Sequence, residues 1–164
     1  MSYLLDANVF IAAKNLHYGM DFCPAFWEWL VHNSNTGKVF SIDKVLDEIE
    51  AGRDELSDWA RNRGAALFRR TPPTMGIQFA QVSTWATSQQ YTPAAVNTFL
   101  QRADYYLVVH ALAGSHTLVT HEVVQDSQNR IKIPNVCIGL GVRFITPFQM
   151  LRIEGSRFVL GDIA

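Results

Sequence analysis

Short apolar stretches alternate along the chain with longer segments in which apolar residues recur every three or four positions. The short stretches predict buried strands, and the longer segments predict amphipathic helices. The predicted strands are residues 2–5, 39–42, 116–120 and 143–146, and the predicted helices are residues 23–33, 43–51, 54–64, 76–89, 102–113 and 147–155, with further helices starting near Asn8, at Pro93 and within 133–142. Because strands alternate with helices, we expect a three-layer α/β/α fold with a central, mostly parallel sheet.

Side chains that favour helix ends delimit several of these segments. Asp43, Asp54 and Thr92 are each predicted to cap the helix that follows. Two segments leave alternatives open. Residues 66–70 are either a short strand or an extended segment, and residues 157–160 are either an edge strand or a docked tail.

The composition is that of one compact domain over residues 1–164, with 48% hydrophobic and 18% charged residues. A net charge of −1 excludes a global basic field for binding nucleic acid, although a local basic groove stays open. Cys23 and Cys137 lie far apart and outside any metal-binding spacing, so we expect two reduced thiols. The sequence shows neither a signal peptide nor an apolar run of membrane length, and we therefore expect a cytoplasmic protein.

Two acidic residues follow predicted strands directly. Asp6 ends the first strand, and Glu122 lies two residues after Thr120, the last residue of another strand. Ligands of open parallel sheets bind at the carboxyl ends of the strands. We therefore expect Asp6 and Glu122 at the same edge of the sheet.

Two further acids lie on predicted helices. Glu48 borders the apolar stripe of its helix, whereas Asp47 and Glu50 are easier to place in solvent. Asp104 lies on a helix face that is otherwise apolar, and a carboxylate in that position needs a cation or strong hydrogen-bond donors. The apolar neighbours on that face are Leu107, Val108 and Ala111, with Leu100 if the helix extends that far back.

Carboxylates crowded into one place repel each other and raise each other's pKa values. A hard divalent cation such as Mg²⁺ or Mn²⁺ prefers oxygen ligands and would relieve this repulsion. Such an ion can activate water and neutralise charge on a phosphodiester during in-line attack. The hypothesis is that Asp6 is a metal ligand or a water-activating base, and that Asn8 braces the site by hydrogen bonding.

Each acid also has an ordinary structural interpretation when it is taken singly. Asp6 or Glu122 could cap the segment after its strand, and Glu48 could be a solvated helix acid. Asp104 could pair with a basic residue such as Arg102. The metal-site interpretation therefore depends on the four acids together.

A basic cluster in "RNRGAALFRR" contributes Arg61, Arg63, Arg69 and Arg70. These arginines could hold RNA phosphates near the acids, or they could be a solvated helix end. Weaker candidates for the same role are Lys38, Lys44, Arg130 and Lys132. The aromatic residues of "FWEW" are expected to pack in the core or at a protein interface rather than stack on bases.

Four segments, in this order, resemble a PIN domain. "LLDANVFI" resembles its opening, "VLDEIE" the helix that supplies a glutamate, "ADYYLVVHAL" the helix with the third acid, and "LVTHE" the strand end written Thr-x-Asp in many PIN domains. Glu122 stands where the commoner residue is aspartate. The tail "VRFITPFQML" is similar to the closing strand of the fold. The length and "DEIEAGRDELSDWA" are similar to a PIN-like group of prokaryotic proteins without assigned function.

The resemblance implies a nuclease that depends on Mg²⁺ or Mn²⁺ and acts mostly on RNA. Many small prokaryotic PIN domains are VapC-type toxins restrained by an antitoxin protein. The resemblance also implies that the acidic site consists of Asp6, Glu48, Asp104 and Glu122, with Asn8 and Thr120 supporting it. We therefore expect an endoribonuclease, the toxin of a toxin–antitoxin pair, with an RNA substrate, an antitoxin partner and no membrane association; homodimer formation stays open.

The resemblance assigns a role to each acid. Asp6 and Asp104 would bind the principal ion, Glu48 would bind it or orient the attacking water, and Glu122 would support a second ion or an outer water. Two alternatives have a related fold: a catalytically inactive module that binds RNA or protein, and a structure-specific DNA nuclease. A nucleotide-cofactor protein is disfavoured, because no glycine-rich loop follows the first strand.

Overall fold

A five-stranded sheet forms the centre of the computed structural model, which describes residues 1–161. Its strands are β1 (Tyr3–Leu5), β2 (Val39–Ile42), β3 (Phe68–Arg69), β4 (Thr117–Val119) and β5 (Phe144–Ile145). They lie in the order β3-β2-β1-β4-β5, and each neighbouring pair is parallel. The three inner strands are fully buried, as parallel strands require when helices cover both faces.

Helices flank this sheet and confirm the predicted α/β class. They are α1 (Ala7–Ala12), α2 (Pro24–Asn35), α3 (Asp43–Glu50), α4 (Glu55–Arg61), α5 (Gly64–Leu67), α6 (Gly76–Ser88), α7 (Pro93–Gln101), α8 (Ala103–Gly114), α9 (Ile133–Leu140) and α10 (Pro147–Ile153). A π-helical turn over Ala13–His17 continues α1, which the apolar pattern did not indicate. A 3₁₀ turn over Pro73–Met75 precedes α6.

Two of the three predicted caps are confirmed. The Asp54 carboxylate accepts the Ser57 backbone N–H at 3.1 Å, and the Ser57 hydroxyl accepts the Asp54 N–H at 3.2 Å. The Thr92 hydroxyl accepts the Ala95 N–H at 3.1 Å. Asp43 is not a cap, because β2 runs directly into α3 and the helix already includes Asp43 in its first turn.

The structure divides one predicted helix and decides between the alternatives left open for two segments. The helix predicted over 54–64 ends at Arg61, because Gly64, with φ +62°, starts the separate short helix α5. Of residues 66–70, only Phe68 and Arg69 pair with β2 as a strand. Residues 157–160 form a docked tail, in which the Phe158 ring lies 6.1 Å from the ring of Phe26.

The junction between α7 and α8 corrects the predicted face of Asp104. Arg102 has an extended backbone (φ −98°, ψ 164°), so α8 begins at Ala103. Leu100 therefore belongs to α7 and does not share the helix face of Asp104. Leu107 is buried on α8 as predicted, and Asp104 lies in the first turn of that helix.

The strand order creates a crevice beside the middle of the sheet. β1 and β4 are neighbours, and the chain leaves them towards opposite edges of the sheet. Such a switch point opens a crevice at the carboxyl ends of the two strands.

No helix within residues 1–161 is long and apolar enough to cross a bilayer. The single domain over 1–164 stays a prediction, and its last three residues lie outside the described part.

Candidate active site

Asp6 and Thr120 join the carboxyl ends of β1 and β4. Asp6 is only 5% exposed, and the Thr120 hydroxyl donates a 2.8 Å hydrogen bond to its Oδ2 atom. The same hydroxyl accepts the Asn8 side-chain N–H at 3.2 Å and the Glu122 backbone N–H at 3.0 Å. The Asn8 Oδ1 atom accepts the His121 backbone N–H at 3.1 Å. Asn8 and Thr120 thus hold the two strand ends in register.

Asp104 faces the same crevice from the first turn of α8. Burial is the main reason that its pKa rises to about 6, and the charges of Glu122 and Glu48 raise it further. The positive charges of Arg102 and Arg130 act in the opposite direction. Asp104 is therefore a carboxylate whose ionised form is destabilised by its surroundings.

The Asp6 carboxyl shows the same effect more strongly. Burial raises its pKa to about 8, and the charge of Asp104 adds to this rise. The Thr120 hydrogen bond favours the ionised form, but it offsets only part of the effect. Near neutral pH, with no cation bound, the two carboxyls therefore favour at most one negative charge between them.

Glu48 contributes from α3, and its carboxylate lies beside the start of α8. Its pKa is raised mainly by burial of its carboxylate, although the Ala103 backbone N–H and Arg102 lower it. The residue as a whole is nevertheless exposed, whereas Glu50 is half-buried and pairs with Arg61 at 3.1 Å. Glu50 is therefore less exposed than predicted, because it pairs with Arg61, whereas the burial of the Glu48 carboxylate agrees with its predicted place at the edge of the apolar stripe.

Glu122 is held in a different way from the other acids. Its Oε2 atom accepts the Ile133 backbone N–H at 2.9 Å, at the start of α9. Its Oε1 atom lies 3.5 Å from Lys132 Nζ and 3.8 Å from Arg130 Nη2. Both carboxylate oxygens thus already have partners from the loop that follows β4.

These residues line one open cavity of about 540 Å³, here called the acidic cavity. Its wall contains Asp6, Asn8, Glu48, Asp104 and Glu122, together with the cations Arg102 and Arg130. The four acids that the sequence selected therefore face a single space. The spacing of residues does not single out either arginine, because Arg102 occupies a helix junction and Arg130 lies in a loop without periodicity.

The acidic cavity contains no preassembled metal centre. Within residues 1–161, no three His, Cys, Asp or Glu side chains are grouped closely enough to hold an ion by themselves. The donor chemistry still fits Mg²⁺ or Mn²⁺, because Mg²⁺ usually keeps several waters and needs only one or two carboxylates. Asp6 and Asp104 suit this role best, since a cation would offset both the burial and the repulsion that raise their pKa values.

The predicted basic cluster lies away from the acidic cavity, whose wall contains none of its four arginines. Arg61 pairs with Glu50 and Asp58, and Arg63 lies over the Trp59 ring. Arg69 lies 3.8 Å from the centre of the Phe40 ring, and Arg70 is exposed. The cavity wall instead contains the positive charges of Arg102 and Arg130. The "FWEW" residues Phe26 and Trp27 are buried in the core.

Comparisons with known proteins agree with this architecture. A family model described as a domain of unknown function (DUF4411) matches residues 3–158. No curated protein sequence matches the chain. Among solved structures, a chain in the crystal structure of VapBC2 from Rickettsia felis bound to a DNA fragment from their promoter has the same fold, with a TM-score of 0.55 and 14% identity. The match covers 89% of this chain and 98% of that one.

Proposed function

The chain belongs to the DUF4411 family of unknown function, and we propose that it is a metal-dependent endoribonuclease that hydrolyses RNA phosphodiester bonds. The observation that supports this proposal is the meeting of Asp6, Glu48, Asp104 and Glu122 on one cavity at the switch point of a parallel sheet. Two of these acids have strongly raised pKa values, and such values cluster at functional sites.

Each acid has a distinct proposed role. Asp6, fixed by Thr120, and Asp104 would hold one Mg²⁺ or Mn²⁺ ion, and Glu48 would bind the same ion or orient the attacking water. When bound, the ion would neutralise phosphodiester charge and lower the pKa of water. Because Glu122 is already engaged by Ile133 and Lys132, its proposed role is to support an outer water or a second ion.

The two arginines of the cavity would complete the substrate site. A phosphodiester is an anion and is repelled by four carboxylates, so it needs positive charge at the mouth of the cavity. Arg102 and Arg130 lie on the cavity wall and can donate N–H groups to phosphate oxygens. They would hold the phosphate near the attacking water, and hydrolysis would then need no covalent intermediate with the protein.

The biological role that we propose is that of a toxin in a toxin–antitoxin pair, acting in the cytoplasm. The fold shared with a chain of VapBC2 supports this role by analogy of architecture alone. In this role a partner antitoxin would cover the acidic cavity and block its access to RNA. Co-purification of the chain with the product of a neighbouring gene would test this part of the proposal.

RNA cleavage by the purified protein tests the enzymatic proposal. We expect cleavage with Mn²⁺ or Mg²⁺, and we expect both EDTA and Asp104→Asn to abolish it. Asp47→Asn is a matched control, because Asp47 is an exposed acid on α3 that does not line the cavity. Cleavage that survives Asp104→Asn would refute the proposed site.

One observation favours a second candidate, a catalytically inactive module that binds RNA. Both oxygens of Glu122 are occupied by protein groups, and the described residues hold no preassembled metal group. Metal-independent RNA binding, without cleavage and unchanged by Asp104→Asn, would favour this candidate over the nuclease.

A further inference from the structure

A second, smaller cavity adjoins the acidic cavity and is here called the side cavity. This side cavity has a volume of about 250 Å³ and lies between α7 and the loop before α9. Arg102, Asp104 and Arg130 line both cavities. The two spaces are therefore joined at one acid of the proposed site and at its two arginines.

The walls of the side cavity differ from those of the acidic cavity. Ala95, Phe99 and Ile131 form an apolar floor, and each is at most 4% exposed. Thr98 and Asn129 provide polar side chains at the rim. An apolar floor with a few polar groups around it is typical of sites for small, flat organic molecules.

The charge distribution indicates which kind of molecule fits. Arg102 and Arg130, both exposed, present guanidinium groups at the junction, and such groups recognise phosphate. Asp104 is the one carboxylate that both cavities share, and Asp6 and Glu48 line only the acidic cavity. An anionic group would therefore meet less repulsion at the junction than deeper in the acidic cavity. The junction suits a phosphate, and the floor suits the ring attached to it.

We propose that the side cavity is a nucleotide subsite, which holds the nucleotide next to the bond to be cut. Its phosphate would lie between Arg102 and Arg130, and its base would pack on the floor near Phe99. Thr98 and Asn129 would offer hydrogen-bonding groups to the edge of the base or to the ribose. This inference rests on the proposed function and deepens it, because it names the substrate unit recognised beside the reacting phosphate.

Binding of adenosine 5′-monophosphate, measured by calorimetry in EDTA, tests the subsite without requiring catalysis. Thr98 is exposed on α7, so Thr98→Trp would fill the cavity without disturbing the core, and Thr98→Leu is a milder version of the same change. Asn97→Trp is the matched control, because the neighbouring Asn97 is also exposed but does not line the cavity. We expect Thr98→Trp to weaken binding about tenfold or more and Asn97→Trp to leave it unchanged.

Two further comparisons sharpen the test. Replacing both junction arginines, Arg102→Gln with Arg130→Gln, should reduce the affinity for adenosine 5′-monophosphate to that of unphosphorylated adenosine. If the protein cleaves RNA, Thr98→Trp should raise KM and leave kcat nearly unchanged, because the subsite binds a part of the substrate that does not react.

The outcomes separate the subsite from the proposed function. RNA cleavage without saturable nucleotide binding, or equal binding by Thr98→Trp and the natural protein, would overturn the subsite and leave the nuclease intact. Nucleotide binding that Thr98→Trp abolishes, in a protein that cleaves no RNA, would support the subsite and refute the nuclease.

Discussion

Asp104→Asn should stabilise the protein in the absence of divalent ions, and this is the sharpest consequence of the acidic cavity. The substitution keeps the shape of the side chain and removes a charge that burial and two neighbouring carboxylates disfavour. A proposed catalytic residue that destabilises its own fold is a typical trade-off between stability and function. The direction is opposite to that expected for most substitutions at partly buried positions.

The magnitude follows from the pKa of Asp104, which rises from 3.8 to about 6 on folding. An acid with a raised pKa binds more protons in the folded state, so the free energy of unfolding falls as the pH rises from about 4 to about 6. At about 1.4 kcal/mol per pH unit, the full penalty above that window is about 3 kcal/mol. Because Asp104 keeps some contact with solvent, we expect a gain of about 2 to 3 kcal/mol at pH 8. The gain should fall below about 1 kcal/mol at pH 4.

Urea unfolding followed by tryptophan fluorescence at both pH values, in EDTA, measures this gain. The chain contains 4 tryptophans, including the buried Trp27, as reporters. Asp47→Asn is the control, because it removes an exposed charge outside the cavity and should change stability by less than about 0.5 kcal/mol. Equal stability of Asp104→Asn and the natural protein at pH 8, or a gain of the same size at pH 4, would refute the electrostatic reasoning.

Three further predictions follow from the same site. Thr120→Val should lower the free energy of unfolding by about 1 to 3 kcal/mol, because it removes the hydroxyl that donates a hydrogen bond to Asp6. Thr120→Ser keeps a hydroxyl and should retain most of the stability. Urea unfolding measures both variants, and equal losses of stability would contradict the hydrogen-bond role. Mn²⁺ should raise the Tm more at pH 8 than at pH 5, because protons compete with the metal for Asp104, whose pKa is about 6. A rise in Tm that does not depend on pH, or that persists in Asp104→Asn, would exclude metal binding at this acid. Glu122→Gln should keep the loop after β4 resistant to limited proteolysis, since an amide oxygen can still accept the Ile133 N–H. Glu122→Ala removes this acceptor and should make the loop susceptible to cleavage. Similar digestion of the two variants would contradict a role of Glu122 in holding the loop.

The sequence predicted those features that depend on local chemistry. Short apolar runs indicate buried strands. Asp54 and Thr92 cap helices through hydrogen bonds to residues three positions away, so the nearby sequence indicates the cap. The meeting of Asp6 and Glu122 at one edge was also predictable, because parallel strands present their carboxyl ends at the same edge of a sheet. Glu48 and Asp104 lie on helices, and only the family resemblance indicated that they belong to the same site.

Features that depend on distant parts of the chain escaped prediction. Glu50 is less exposed than predicted, because it pairs with Arg61 of another helix, and helix periodicity does not reveal such a partner. Arg130 lies in a loop, where spacing carries no directional information, so its place on the wall of the acidic cavity is visible only in three dimensions. The side cavity was not predicted for the same reason, since it forms between α7 and that loop, which are distant in the sequence.

The hydrogen bond between Thr120 and Asp6 spans 114 positions of the chain and has a consequence for protein synthesis. During translation the amino-terminal part of the chain emerges first, and β1 must wait for β4 before the crevice has both its sides. A nascent chain that ends before residue 117 contains Asp6, Glu48 and Asp104 but lacks the strand that fixes the first of them. The acidic edge is therefore completed only after β4 and Thr120 have left the ribosome. The order of synthesis thus places the closing of the crevice after the synthesis of three of the four acids that line it.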